Sequence, residues 1–156
     1  MTDTTAASVG PAADLRQDLA PVLGRGVRVV QLEADGALLL ELGGPRPVAR
    51  GNRGPFLWVY APWRVETDTE VLATCAEELA ASVRVLDDQV LTGADVEVPS
   101  LSATFFFADG LRLRTFSVTD TDVQWELYLR GRWVRTAGPA WAWTLHRDTD
   151  ETEPRR

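Results

Sequence analysis

The triad Ala-Asp-Gly occurs twice, at 34–36 and at 108–110, and each time it stands between two apolar runs. Asp and Gly tolerate positive φ, so this dipeptide between alternating segments is the strongest short-range signal for a β-hairpin. The spacing predicts arms over Val27 to Leu32 and Ala37 to Leu42 for the first hairpin. It predicts Leu101 to Phe107 and Leu111 to Val118 for the second. Asp35 and Asp109 are therefore read as turn residues, not as catalytic acids.

Other landmarks recur in the same order around these turns. Leu23-Gly24-Arg25-Gly26-Val27 is similar to Leu91-Thr92-Gly93-Ala94-Asp95-Val96, and Ala13-Asp14-Leu15 to Glu77-Glu78-Leu79. Trp58 to Trp63 is similar to Trp125 to Trp133. Repeated landmarks signal a repeated structural unit. The expectation is one α+β domain over 11–146, mainly antiparallel β-sheet, built from two tandem helix-plus-β-meander repeats. The first repeat spans about 12–75 and the second about 76–145. A disordered start (1–10) and a polar tail (147–156) flank them. Each repeat alone has too little core to stand by itself.

In the first repeat, Pro11 suits a first helical position, Leu15 and Leu19 share a face, and Pro21 ends the helix. In the second, Leu79, Val83 and Leu86 at i, i+4, i+7 predict an amphipathic helix over Thr74 to Leu86. A competing reading places a strand at Val71-Leu72-Ala73, paired with Arg64-Val65-Glu66 across Thr67-Asp68-Thr69, and the two are compatible if the strand comes first and the helix follows it. Further strands are expected at Phe56 to Ala61, which is apolar on both faces and so central, and at Val123 to Leu129. Trp133-Val134 and Trp141 to His146 complete the set. Gly43 to Pro55 reads as a loop.

The charged side chains exclude some function classes. The sixteen basic residues are all Arg, and the net charge is −7. That balance argues against nucleic acid, whose binders gain affinity from a basic face. No apolar run approaches the roughly 20 residues of a membrane span, and Met1 to Gly10 has no secretory pattern. With Cys75 the single thiol, a reducing cytoplasm fits. A chain without Lys cannot build a Walker A loop. A single His, His146, cannot supply a His-x-x-x-His metal pair, so no metal and no cofactor are expected. Cys75 and His146 are read as structural, not as a nucleophile and base. Asp120-Thr121-Asp122 with Glu126 lacks the spacing of a calcium loop and reads as a solvated turn. Glu126 has no evident second carboxylate for glycoside hydrolysis. No catalytic residue is assigned.

Six Trp are many for this length. Trp58, Trp125, Trp141 and Trp143 fall on strand faces that look like core. Trp63-Arg64 and Arg130, Arg132, Trp133 and Arg135 combine the residue types that dominate interface hot spots. These six are the candidate partner-binding residues. Gly51 to Pro55 with Arg53 offers a possible anion loop but reads first as a connector.

The sequence Phe107-Ala108-Asp109-Gly110-Leu111 through Trp125-Glu126-Leu127 resembles small actinobacterial proteins of unknown function with a duplicated β-rich unit. The resemblance spans about 20–145 and implies no catalytic residue. By analogy it implies an immunity-type protein that neutralises a toxin. The leading expectation is thus a cytoplasmic, non-enzymatic protein-binding domain. Its acidity favours a partner with a basic surface through electrostatic steering. The alternatives are a small-ligand domain with an apolar pocket between the repeats, an enzyme using carboxylates, and self-association through exposed strands.

Overall fold

The computed structural model describes residues 10–43, 55–60, 62–76, 81–118, 121–129 and 133–147. The chain starts with a helix, Pro11–Leu19 (α1), whose Pro sits at its start and whose Leu15 and Leu19 are buried. A 3-10 turn over Ala20–Val22, containing Pro21, follows it. Three strands come next: Val27–Leu32 (β1), Leu38–Leu42 (β2) and Phe56–Val59 (β3). They are followed by Trp63–Glu66 (β4) and Val71–Thr74 (β5). After a 3-10 segment at Ala81–Leu86 come Leu91–Val96 (β6), Ala103–Phe107 (β7) and Arg112–Thr115 (β8). Trp125–Tyr128 (β9), Trp133–Ala137 (β10) and Trp143–Arg147 (β11) end the described chain.

The strands form two antiparallel sheets, ordered β1-β2-β3-β9-β10-β11 and β5-β4-β8-β7-β6. Each half of the chain contributes to both. The first half lays a three-strand meander in the six-stranded sheet, then crosses to place β4 and β5 in the other. The second half lays its meander, β6 to β8, in the five-stranded sheet and crosses back for β9 to β11. The crossing strands meet as β3 against β9 and β4 against β8. The α+β, mainly antiparallel expectation holds at this level.

Alternation explains which faces turn inward. Val27 and Val29, then Leu38, Leu40 and Leu42, project to the core from β1 and β2. Trp63 and Val65 do so from β4, Phe105 and Phe107 from β7, and Trp125 and Leu127 from β9. These side chains form one continuous apolar cluster shared by both sheets. Burying each large side chain is worth about 1.5–3 kcal/mol. α1 packs against β6, and the Ala81–Leu86 segment packs against β1 and β5.

Both Ala-Asp-Gly segments form three-residue hairpin loops. At the first, Glu33 N–H donates to Ala37 O at 2.8 Å, Asp35 Oδ1 accepts from Ala37 N–H, and Gly36 takes φ 93°. At the second, Phe107 N–H donates to Leu111 O, with Asp109 at φ 65° and Gly110 at φ 77°. Their places differ, however. The first joins β1 to β2 and the second joins β7 to β8, so they are not matching landmarks in strand order.

The helix expected over Thr74 to Leu86 is corrected. Residues through Thr74 are a strand paired with β4, as the competing reading has it, and Ala81–Leu86 is a 3-10 segment, with 77–80 outside the described residues. Leu79 lies outside the described residues. So do the start 1–9, most of the 43–55 loop and the tail after 147.

Candidate functional site

The two crossovers between the sheets lie side by side. Tyr60 N–H donates to Gln124 O and Phe116 N–H donates to Pro62 O, both at 2.8 Å. A cavity of about 440 Å³ opens between them. The first crossover contributes Tyr60 and Pro62 to its wall. The second contributes Val118, Asp122, Val123 and Gln124, and β9 adds Glu126.

The polar groups in this wall are mostly acceptors. Gln124 is 4% exposed. Its Nε2 donates to Ser100 O at 2.9 Å, which fixes the orientation of the amide. Its Oε1 then has no hydrogen-bond partner among the described residues. A buried acceptor left unpaired costs about 1–3 kcal/mol. Glu126 stands opposite Trp58 on one strand pair and opposite Thr136 on the next, so all three share a face. Thr136 Oγ1 donates to Glu126 Oε2 at 3.5 Å. Tyr60 lies near Glu126 and Tyr128. Burial first, and then the Glu126 charge, holds its phenol well above the usual range, so its proton stays on. The Trp58 and Tyr60 rings stack with centroids 5.8 Å apart and planes 7° from parallel. The cavity wall thus combines the Tyr60 ring, the Glu126 carboxylate and Gln124 with its orphaned amide oxygen. These are the group types that a cation bearing several N–H donors can use.

The residues expected to bind a partner are dispersed. Trp63 is core, 2% exposed, and its indole N–H donates to Gly36 O at 2.6 Å. Arg64 lies on the outer face of the five-stranded sheet, across from Arg114. Trp133 is 42% exposed on β10 of the other sheet, with the Arg147 guanidinium 5.8 Å from its ring. Arg135, expected at the surface, is buried. Its Nε donates to Asp18 Oδ2 at 2.8 Å, its Nη1 lies 3.8 Å from Asp14 Oδ2, and it packs over Trp143. It therefore ties α1 to the six-stranded sheet. Arg130 and Arg132 lie outside the described residues, as do Gly51 to Gly54 and Asp120. Cys75 follows β5 beside Gly36, and His146 sits on β11 of the six-stranded sheet.

Among the described residues there is no cluster of His, Cys, Asp and Glu that could hold a metal ion. None of their helices is long and apolar enough to cross a membrane. Tyr60 and Gln124 were not singled out by the sequence. Only the long-range pairing of the crossovers unites them. No family model, no curated protein and no solved structure matches the chain.

Proposed function

We propose that this chain is a non-enzymatic binding domain that receives a positively charged group, an Arg side chain of a basic partner protein, in the cavity between its two crossovers. The observation that carries the reading is a cavity lined by Gln124, whose buried Oε1 is unpaired, together with the acidic Asp122 and Glu126. A guanidinium offers five N–H donors and a flat face. It can supply the amide oxygen with its missing partner, pair with Glu126, and stack on the Tyr60 ring. The chain's net charge of −7 would steer a basic partner inward.

We further read the chain as a duplicated unit, and that reading favours this cavity. Strands β1 to β5 and β6 to β10 correspond one to one if each half exchanges its last strands into the other half's sheet. The two sheet orders then become the same pattern. Trp63 and Trp125 correspond, and each donates its indole N–H to a carbonyl of its own half's first hairpin, Gly36 O and Leu101 O. α1 and the Ala81–Leu86 segment correspond too, each packing on the other half's first strand. In this reading the cavity lies where the copies cross. A second reading, a free small molecule, is favoured by the volume, which falls within the roughly 300–1,000 Å³ of small-ligand sites.

The test is a titration of the whole chain with N-acetyl-arginine amide, followed by backbone amide shifts, with N-acetyl-citrulline amide as the uncharged counterpart. Saturable shifts at Tyr60, Gln124 and Glu126 are expected for the arginine compound alone. Glu126→Gln weakens them by roughly tenfold, the equivalent of about 1.4 kcal/mol. Equal shifts from both compounds, or shifts indifferent to Glu126→Gln, overturn the proposal.

A further inference from the structure

We infer that the outer face of the five-stranded sheet carries a separate site for a carboxylate ligand, held by Arg64 and Arg114. The two side chains stand directly opposite each other across β4 and β8, facing outward. Like charges in that position cost stability. One pair further along, Glu66 faces Arg112. The Glu66 side chain is 7% exposed and is surrounded by guanidinium groups. Its Oε1 accepts from Arg112 Nε at 2.9 Å and Arg114 Nη1 at 3.3 Å, and its Oε2 lies 2.5 Å from Arg64 Nε.

The three Arg do not share this carboxylate equally. Arg112 is fully engaged, because its Nη1 also donates to Asp68 at 2.7 Å and its Nη2 to Thr67 O at 3.3 Å. Three guanidinium groups meet two carboxylates, which leaves one positive charge. It resides with Arg64 and Arg114. Arg64 Nε is buried and lacks a well-aligned hydrogen bond despite its closeness to Glu66. Both groups lie by one ring, with Arg64 4.7 Å and Arg114 5.5 Å from the Phe116 centroid. An aromatic ring holds a guanidinium in place while leaving its N–H edge free. About a third of each side chain reaches solvent.

Two anchored forks with one residual charge match a singly charged group with two oxygens, one oxygen for each fork. In a chain as acidic as this one, that leftover positive charge is a local exception. The site is independent of the cavity between the crossovers, since it needs neither Gln124 nor Glu126.

The experiment uses the whole chain and the arginine Nε–H resonances of Arg64 and Arg114. Sodium acetate is titrated at fixed ionic strength against sodium chloride, with inorganic phosphate as a third arm. Saturable acetate shifts are expected at both resonances, with none from chloride. Arg64→Gln should weaken them roughly tenfold while far-UV circular dichroism stays unchanged, because Arg64 is partly exposed. Arg114→Gln, read at Arg64, provides the second variant. Linear shifts, or shifts that survive both variants, overturn the site. Tighter binding of phosphate than of acetate overturns the assignment to a carboxylate.

Discussion

Replacing Trp63 or Trp125 with Phe tests the two indole bonds that fasten each crossover to a hairpin. Trp63 is 2% exposed and Trp125 is fully buried. Each loses its donor to a buried carbonyl, at 2.6 Å from Gly36 O and 3.0 Å from Leu101 O. An orphaned buried acceptor costs about 1–3 kcal/mol. The smaller ring also leaves a void. Complete removal of a buried aromatic costs about 3–5 kcal/mol, so partial removal costs about 1–2. Together they come to about 2–5 kcal/mol. For a chain of this length each kcal/mol moves Tm by roughly 2–4 °C, so a drop of about 4–20 °C is expected. Trp125 should lie at the upper end, because it also meets Phe105 and Trp143 edge-on at 5.9 and 5.5 Å. Urea unfolding followed by far-UV circular dichroism avoids relying on the removed fluorophore. Trp133→Phe is the control. Its ring is 42% exposed and should cost no more than about 0.5 kcal/mol. A loss below about 0.5 kcal/mol in either buried variant, or an equal loss in the control, refutes the reasoning.

Three further outcomes are expected. Burial alone would raise the Glu66 pKa, but the bonds from Arg112 and Arg114 and the Arg64 charge outweigh it and hold it below 4.5. A carboxylate depressed in the fold stabilises above its unfolded pKa and loses that contribution as pH falls through the folded one. Stability should therefore fall as pH drops below about 4.5. Glu66→Gln should flatten that fall and cost about 2 kcal/mol at neutral pH, as measured by urea midpoints across pH. Arg135→Met removes the guanidinium from buried Asp18 and from Asp14, which keeps the Trp143 indole N–H, and should cost about 3 kcal/mol in the same assay. Gly138 has φ 81°, and a Cβ there would stand 2.8 Å from Asp122 O, in the cavity wall. Gly138→Ala should cost about 1–3 kcal/mol and weaken the N-acetyl-arginine amide titration. Gly93→Ala meets nothing within 4 Å and should do neither.

Local signals were legible and long-range ones were not. The Asp-Gly pairs placed two hairpins because φ preference is written into a few adjacent residues. The stretch from Thr74 to Leu86 misled for a physical reason. Val83 and Leu86 are indeed buried together. A spacing of three puts residues on one face of a 3-10 turn as well as on an α-helix, so the pattern identified the buried side chains but not the helix type. Trp63 read as a partner contact because it stands beside Arg64, the combination that dominates interface hot spots. In the fold Pro62 lies in the crossover, and the chain resumes inward on the other sheet. Arg135 read as surface because Arg is seldom buried. Asp18, far back in the sequence, is what permits it. Tyr60 and Gln124 gave no signal, since neither carries a motif and their juxtaposition depends on β3 pairing with β9.

The position of the cavity follows from the same topology. A strand pair that changes sheets must leave its backbone ladder for a few residues. There the polar groups of the chain are satisfied by whatever lies alongside. Here two such departures lie together and satisfy each other through Tyr60 N–H to Gln124 O and Phe116 N–H to Pro62 O. The backbone is thereby settled while the side chain of Gln124 is not. A core position would have selected an apolar residue, and a surface position would have let water supply the donor. An acceptor kept buried and unpaired, on a residue that shares a cavity with two carboxylates, fits the proposal that a donor arrives from outside. That is why the proposed binding function is placed at the crossover and not at the exposed Trp133 edge.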